Sequence, residues 1–168
     1  MYEAEETDLA HEKSEPILIA GAHDIPLPRR EVWRLLNDPA ILRQSVRGTE
    51  EVVRLSPGAF RARIGVRVGP LKVKVSATLR LRGRLSPESF CADSELSVGL
   101  LGGARAHVEV FLISTGGGAA TWVNYLTKLS TSGPLALMLR LREDKLARYT
   151  DWFFERFLKA AKKRKLNR

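Results

Sequence analysis

Cysteine, long apolar runs and recognisable catalytic motifs are all scarce in this chain, and each scarcity removes a class of protein. The single cysteine, Cys91, cannot form an internal disulfide and leaves no thiolate cluster for zinc. Beside Phe90 it reads as a small inert hydrophobe rather than a reactive thiol. No stretch approaches the roughly 20 apolar residues that span a bilayer. The N-terminus is acidic, without the basic-then-apolar layout of a secretory signal. The expectation is a cytoplasmic protein, peripheral at most on the inner face of the membrane.

The three histidines are His11, His23 and His107. His107 alternates with Arg105 and Glu109, out of phase with Ala106 and Val108, which predicts an outward side chain. Asp93 and Glu95 share a strand face and read as solvated carboxylates. Gly116 to Gly118 reads as a hairpin loop, and neither a His-Glu-x-x-His pattern, a phosphate-cradling loop nor a nucleophile elbow occurs. General acid–base chemistry needs a positioned, tuned group, and none stands out. The residues therefore predict no catalytic group, no metal site and no cofactor, and so no enzyme.

What the chain does have is a globular composition, 168 residues with 44% hydrophobic and 28% charged, suited to one domain. Its net charge of +9 is unevenly spread. Residues 1–16 hold Glu3, Glu5, Glu6, Asp8, Glu12 and Glu15 against Lys13, a net −5, leaving +14 on the rest. That segment reads as an acidic leader with little to bury. At the other end Lys159, Lys162, Lys163, Arg164, Lys165 and Arg168 form a basic tail over residues 159–168. Nucleic acid, anionic lipid or an acidic protein each answer such charge.

The strongest local pattern runs from Phe60 to Arg82. Phe60, Ala62, Ile64, Val66 and Val68 alternate with Arg61, Arg63, Gly65 and Arg67. After Gly69-Pro70, Leu71, Val73, Val75, Ala77, Leu79 and Leu81 alternate with Lys72, Lys74, Ser76, Thr78, Arg80 and Arg82. A period of two gives each strand an apolar and a basic face. A tight turn at Gly69-Pro70 sets Arg67 opposite Lys72 and Val66 opposite Val73. Facing like charges are unfavourable, so Arg61, Arg63, Arg67, Lys72 and Lys74 are candidates for an anionic partner surface, against the plainer reading of a solvated outer face.

The rest of the chain orders itself around this hairpin. Ile17 to Ile25 reads as a strand. Pro28 begins one short helix and Asp38-Pro39, as N-cap and first helical residue, begins a second that closes at Gly48. About six strands follow, and Ser132-Gly133-Pro134 opens a long helix to about residue 163. On its apolar line Leu139, Leu146, Tyr149, Phe153 and Phe157 recur three or four apart, with Arg142 as the exception. An antiparallel sheet has to cover its apolar face, and this helix is the element large enough to do so. The predicted fold is α+β: a curved antiparallel sheet wrapped over a long C-terminal helix, with two short helices after the first strand. Small inward residues such as Ala62, Ala77, Ala92 and Ala106 leave room for an apolar pocket, and they equally suit a filled core. Candidate pocket residues are Leu42, Val66, Val75, Leu96, Val98, Leu135, Met138 and Leu139, with Tyr125 as the polar contact for a ligand head group. Packing alone would also explain these residues.

This order resembles the helix-grip fold of the START-like (SRPBCC) superfamily, and most closely its branch of carbon monoxide dehydrogenase G-subunit proteins. The resemblance rests on Val32-Trp33 with Leu36-Asn37-Asp38-Pro39, on Val68-Gly69-Pro70-Leu71-Lys72 between long strands, and on Phe153-Phe154-Glu155-Arg156-Phe157 near the end. It covers roughly residues 17–158, the expected domain. Members of that branch often carry Cys-Ile-Pro-Gly where this chain has Ser45-Val46-Arg47-Gly48, so no role of that cysteine or proline transfers. The resemblance implies a non-enzymatic accessory protein that binds a quinone or lipid. It also implies that such a protein helps couple a molybdenum-containing carbon monoxide dehydrogenase, or a related hydroxylase, to the cytoplasmic membrane. The basic tail beside Trp152, Phe154 and Phe157 suits an anionic bilayer on this reading, and equally a helix end whose dipole favours cations. The alternatives are a nucleic-acid-binding domain, which the lack of aromatics on the basic strand face disfavours, and a cyclase-like enzyme on the same fold.

Overall fold

The computed structural model describes residues 15–68 and 70–167. Most of the acidic leader, the turn residue Gly69 and Arg168 lie outside the described residues. Strand β1 (Ile17–Ile25) leads to helices α1 (Arg29–Leu36) and α2 (Pro39–Ser45). Six strands follow: β2 (Thr49–Ser56), β3 (Ala59–Val68), β4 (Leu71–Leu85), β5 (Ser89–Ser97), β6 (Gly103–Thr115) and β7 (Ala120–Thr131). Two helices, α3 (Pro134–Arg140) and α4 (Glu143–Leu166), end the chain. The seven strands form one antiparallel sheet in the order β1-β7-β6-β5-β4-β3-β2, with the helices against its apolar side.

Local chemistry accounts for the boundaries. Pro28 precedes α1, and Asp38 caps α2 by accepting a 2.9 Å bond from the Ala40 N–H, with Pro39 at the first helical position. In the β3–β4 hairpin Arg67 faces Lys72 and Val66 faces Val73, the register that two strands joined at Gly69-Pro70 require.

The C-terminal helix is in two pieces. Its single predicted span breaks at Leu141-Arg142, the position of the cation that interrupts the apolar line, and α4 restarts with Glu143 and Asp144 in its first turn. The last residues of the predicted tail are helical to Leu166, with Ala160 and Ala161 buried against the body.

Two apolar clusters hold helices and sheet together. The larger joins Ile25, Val32, Leu35, Leu36 and Ile41 to Phe90, Leu112, Val123, Phe154 and Phe157. The smaller joins Ile17, Ala104, Leu129 and Leu146, with Leu135 and Leu139 packed on it. Between the larger cluster and the β3–β5 part of the sheet the interior is not filled.

Candidate ligand site

An apolar cavity of about 370 Å³ lies between the concave face of the sheet and α4, a size that suits a small organic ligand. Strand parity builds its wall. Ala62 and Ile64 of β3, Ala77, Leu79 and Leu81 of β4, Ala92 and Leu96 of β5, and Val108 and Val110 of β6 all point inward from the rows that alternate with charged residues. The alanines make the space: Ala62 and Ala77 face each other across one ladder, and Ala92 stands beside Leu81 across the next. Leu42 and Val46 close one side from α2 and the segment after it, and Thr150, Phe153 and Phe154 close another from α4.

Polar groups on this wall are few: Thr49, Ser94, Tyr125, Thr127 and Thr150. Thr49 Oγ1 donates to the Val46 carbonyl at 2.8 Å and is already used. Tyr125 is 8% exposed, and among the described residues its hydroxyl makes no side-chain hydrogen bond. Its ring lies across Gly21 of the neighbouring strand, where a Cβ would collide with the hydroxyl. Glycine at position 21 is what allows a tyrosine to lie there. A tyrosine hydroxyl without a protein partner favours one, and this residue borders the cavity.

His23 joins this corner, a residue to which the sequence alone assigns no role. It shares the inward row of β1 with Ile17, Ile19, Gly21 and Ile25, and that parity is the signal by which it could have been found. Its ring stacks on Phe154 at 4.3 Å and runs parallel to Tyr125 at 6.0 Å, and its Nε2 lies 3.5 Å from Asp151 Oδ1. The other described histidine, His107, faces outward as its alternation predicts, with Nδ1 2.6 Å from Asp93 Oδ1. Among the described residues no group of His, Cys, Asp or Glu is arranged to hold a metal ion.

Of the candidate pocket residues, Leu42, Leu96 and Tyr125 line the cavity. Val66 and Val75 do not, because they stand on the part of the β3–β4 hairpin that runs past its end. Val98 is buried at the β5–β6 turn, also outside it. Leu135 and Leu139 pack on the smaller cluster, and Met138, beside them on α3, is not on the cavity wall either. Parity chose the correct face in the strands, but the cavity occupies only part of that face. Ser45, at the departure from the family pattern, is buried and donates to the Ile41 carbonyl at 2.7 Å, so its hydroxyl is spent within α2.

The candidate partner-binding cations fall into two groups. On the outer face of the hairpin Arg63 pairs with Glu51 at 2.6 Å, while Arg61, Arg67, Lys72 and Lys74 make no ion pair among the described residues. On α4, Lys159, Lys162, Lys163 and Lys165 are exposed, with Lys159 and Lys163 beside Gln44 of α2. Arg164 is committed to Asp38 and locks the helix end to the α1–α2 corner. Burial alone would raise the Asp38 carboxyl. The Arg164 guanidinium and the Ala40 and Ile41 N–H groups outweigh burial and hold it below its ordinary value.

This architecture, an antiparallel seven-stranded sheet gripping a long C-terminal helix around an apolar cavity, is the helix-grip architecture of START-like proteins. The chain belongs to the CoxG family, the G-subunit proteins of carbon monoxide dehydrogenase, whose model matches residues 21–153. No curated protein matches its sequence. Solved structures share the fold. A conserved protein from Geobacillus kaustophilus is 19% identical, with 86% of this chain and 94% of that one covered at a TM-score of 0.77. The Zhui aromatase/cyclase from Streptomyces sp. R1128 is 15% identical, with 88% and 94% covered at 0.63. A START superfamily protein from Mycobacterium smegmatis is 10% identical, with 88% and 95% covered at 0.57.

Proposed function

We propose that this protein is a non-enzymatic carrier that holds one apolar molecule, a quinone or lipid, between its sheet and α4. It then serves as an accessory to a molybdenum-containing carbon monoxide dehydrogenase-type enzyme at the membrane. The carrying observation is the cavity, about 370 Å³ walled almost wholly by aliphatic and aromatic side chains, with Tyr125 the one ionisable lining residue among the described residues. Such a wall binds by removing apolar surface from water, at about 25 cal/mol per Å². It offers a ligand a few hydroxyls for orientation, those of Ser94, Tyr125, Thr127 and Thr150, and among the described residues no carboxylate or imidazole directly on the wall. Family membership supports the dehydrogenase as partner. The exposed cations of the hairpin and of α4 supply surfaces for an anionic partner.

Native mass spectrometry of gently purified protein, followed by organic extraction, tests the carrier reading. A discrete bound mass of a quinone, isoprenoid or fatty-acid species is the expected result. A protein that stays empty after incubation with menaquinone and phospholipids overturns it.

One observation favours a second reading. His23, stacked on Phe154 beside Tyr125 and 3.5 Å from Asp151, is a candidate acid–base pair at the cavity edge, and an aromatase/cyclase shares the fold. On that reading a supplied ligand is recovered with altered mass and His23→Ala abolishes the change. Recovery of unaltered ligand keeps the carrier reading.

A further inference from the structure

Five large exposed apolar side chains, Val66, Leu71, Leu100, Leu137 and Leu141, lie at one end of the sheet, apart from a second group, Phe111, Ile113, Trp122 and Leu126, on the outer face of β6 and β7. The β3–β4 hairpin overruns its neighbour: at that end the last β4–β5 pair is Ser76 with Ser97, so residues 71–75 project beyond β5. Val66 and Leu71 stand on the concave row of this projection, yet they are 37% and 66% exposed because no helix covers it. Val66 is the next inward residue after Ile64, which lines the cavity, so the projecting row continues the cavity wall. Beside it the 3-10 turn Gly99–Leu101 presents Leu100, fully exposed. That turn abuts the start of α3, where a Cβ on Gly133 would sit 3.2 Å from the Leu101 carbonyl oxygen. Helix α3 buries none of its residues; Leu137 is 64% exposed and Leu141, in the α3–α4 junction, 75%.

A lone exposed leucine needs no explanation, but such side chains on three adjacent segments next to a cavity do. Their surroundings are basic on balance: Arg67, Lys72 and Lys74 on the hairpin, Arg140 on α3, Arg142 at the junction, and Lys145 and Arg148 on α4, against Glu50 beside Gly65 and against Glu143 and Asp144. Arg140 spends one donor on the Glu15 carbonyl at 3.1 Å. An apolar centre framed by cations matches the layering of an anionic bilayer surface, where leucines enter the acyl boundary and lysines and arginines meet phosphates. The basic end of α4 differs: Leu166 is its one large exposed apolar side chain, and Arg164 is held by Asp38.

We propose that this end of the molecule, formed by the hairpin tip, the Gly99–Leu101 turn and α3, is the surface that docks on an anionic lipid bilayer, and that the basic end of α4 is not. The proposal rests on the carrier reading for its purpose, because it turns the cavity wall toward the phase in which an apolar ligand dissolves.

Flotation of the full chain with phosphatidylcholine vesicles that contain phosphatidylglycerol tests it. Each leucine withdrawn from water at the interface is worth about tenfold in partitioning. The rim variant L71S/L100S/L141S is therefore expected to bind about a hundredfold or more weakly, with an unchanged melting temperature. The helix-end variant K159Q/K162Q/K163Q/K165Q is expected to stay within about threefold of the wild type, since its charges lie away from the contact. Wild-type protein that does not float, a rim variant that floats normally, or a helix-end variant that alone fails to float each overturns the proposal. So does light scattering that shows a wild-type dimer which the rim variant dissolves, because the leucines then belong to a second copy. Native mass spectrometry of the same proteins separates the two readings. A rim variant that keeps its ligand but does not float supports the docking surface, and a wild type that floats but carries no ligand overturns the carrier reading alone.

Discussion

The two ends of α4 sit in opposite surroundings. Toward its C-terminus Phe157 is fully buried, Ala160 and Ala161 pack on the body, and Arg164 reaches Asp38. Toward its N-terminus Leu146 is the sole buried residue before Phe154, and Tyr149 and Trp152 lie edge to face in solvent. One end therefore carries the packing that fixes helix to sheet, and the other borders an unfilled cavity and an uncovered hairpin. A helix clamped at one end holds a site together without filling it, which a uniformly packed helix would do.

Substitutions that separate clamping from ligand holding sharpen this contrast. The largest effect is expected from Phe157→Ala, which opens a void in the clamped end and costs about 3–5 kcal/mol; thermal unfolding followed by circular dichroism should show a fall on the order of 10 °C. Next comes Ala92→Phe, which fills cavity space. Bound apolar ligand should fall about a hundredfold by native mass spectrometry with little loss of melting temperature, and a large loss instead would mean that the space is needed for the fold. Tyr125→Phe should weaken ligand binding about tenfold while leaving stability nearly unchanged, because the hydroxyl has no described side-chain partner to strand. A clear drop in melting temperature would instead show that the protein uses that hydroxyl itself.

The smallest effect belongs to the clamp's ion pair. Asn retains capping ability, so Asp38→Asn should cost about 1 kcal/mol at neutral pH. The sign with pH follows from the lowered carboxyl. Its contribution is present above the ordinary aspartate range, near about 4, and is lost as pH falls through the depressed folded value. Melting curves of wild type and variant should therefore converge in acid; a constant gap down to strong acid would place the effect in helix capping rather than in the charge.

Much of this arrangement is legible in the sequence. Alternation across residues 60–82 carries both the hairpin register and the inward rows, and the Asn37-Asp38-Pro39 run carries the α1–α2 corner, because both are local rules of backbone geometry. The cavity's extent is not legible. A period of two assigns Val66, Val75 and Ile64 alike to one face, whereas cavity membership depends on how far along each strand the helix reaches. Arg142 registers as an exception in the apolar line but not as a break, since a cation inside a helix costs little and the junction follows from tertiary packing. His23 escapes because its meaning comes from Phe154 and Asp151, more than 120 residues away in sequence.

The break at Leu141-Arg142 also separates timescales. With no buried residue of its own, α3 can open without disturbing Phe157, so the amides of Ala136 and Leu141, bonded within that short helix, should exchange with solvent through local opening. Those of α4 around Phe157 should wait for global unfolding. The short helix therefore opens and closes many times within the lifetime of a single folded molecule, at a rate set apart from how stable the protein is.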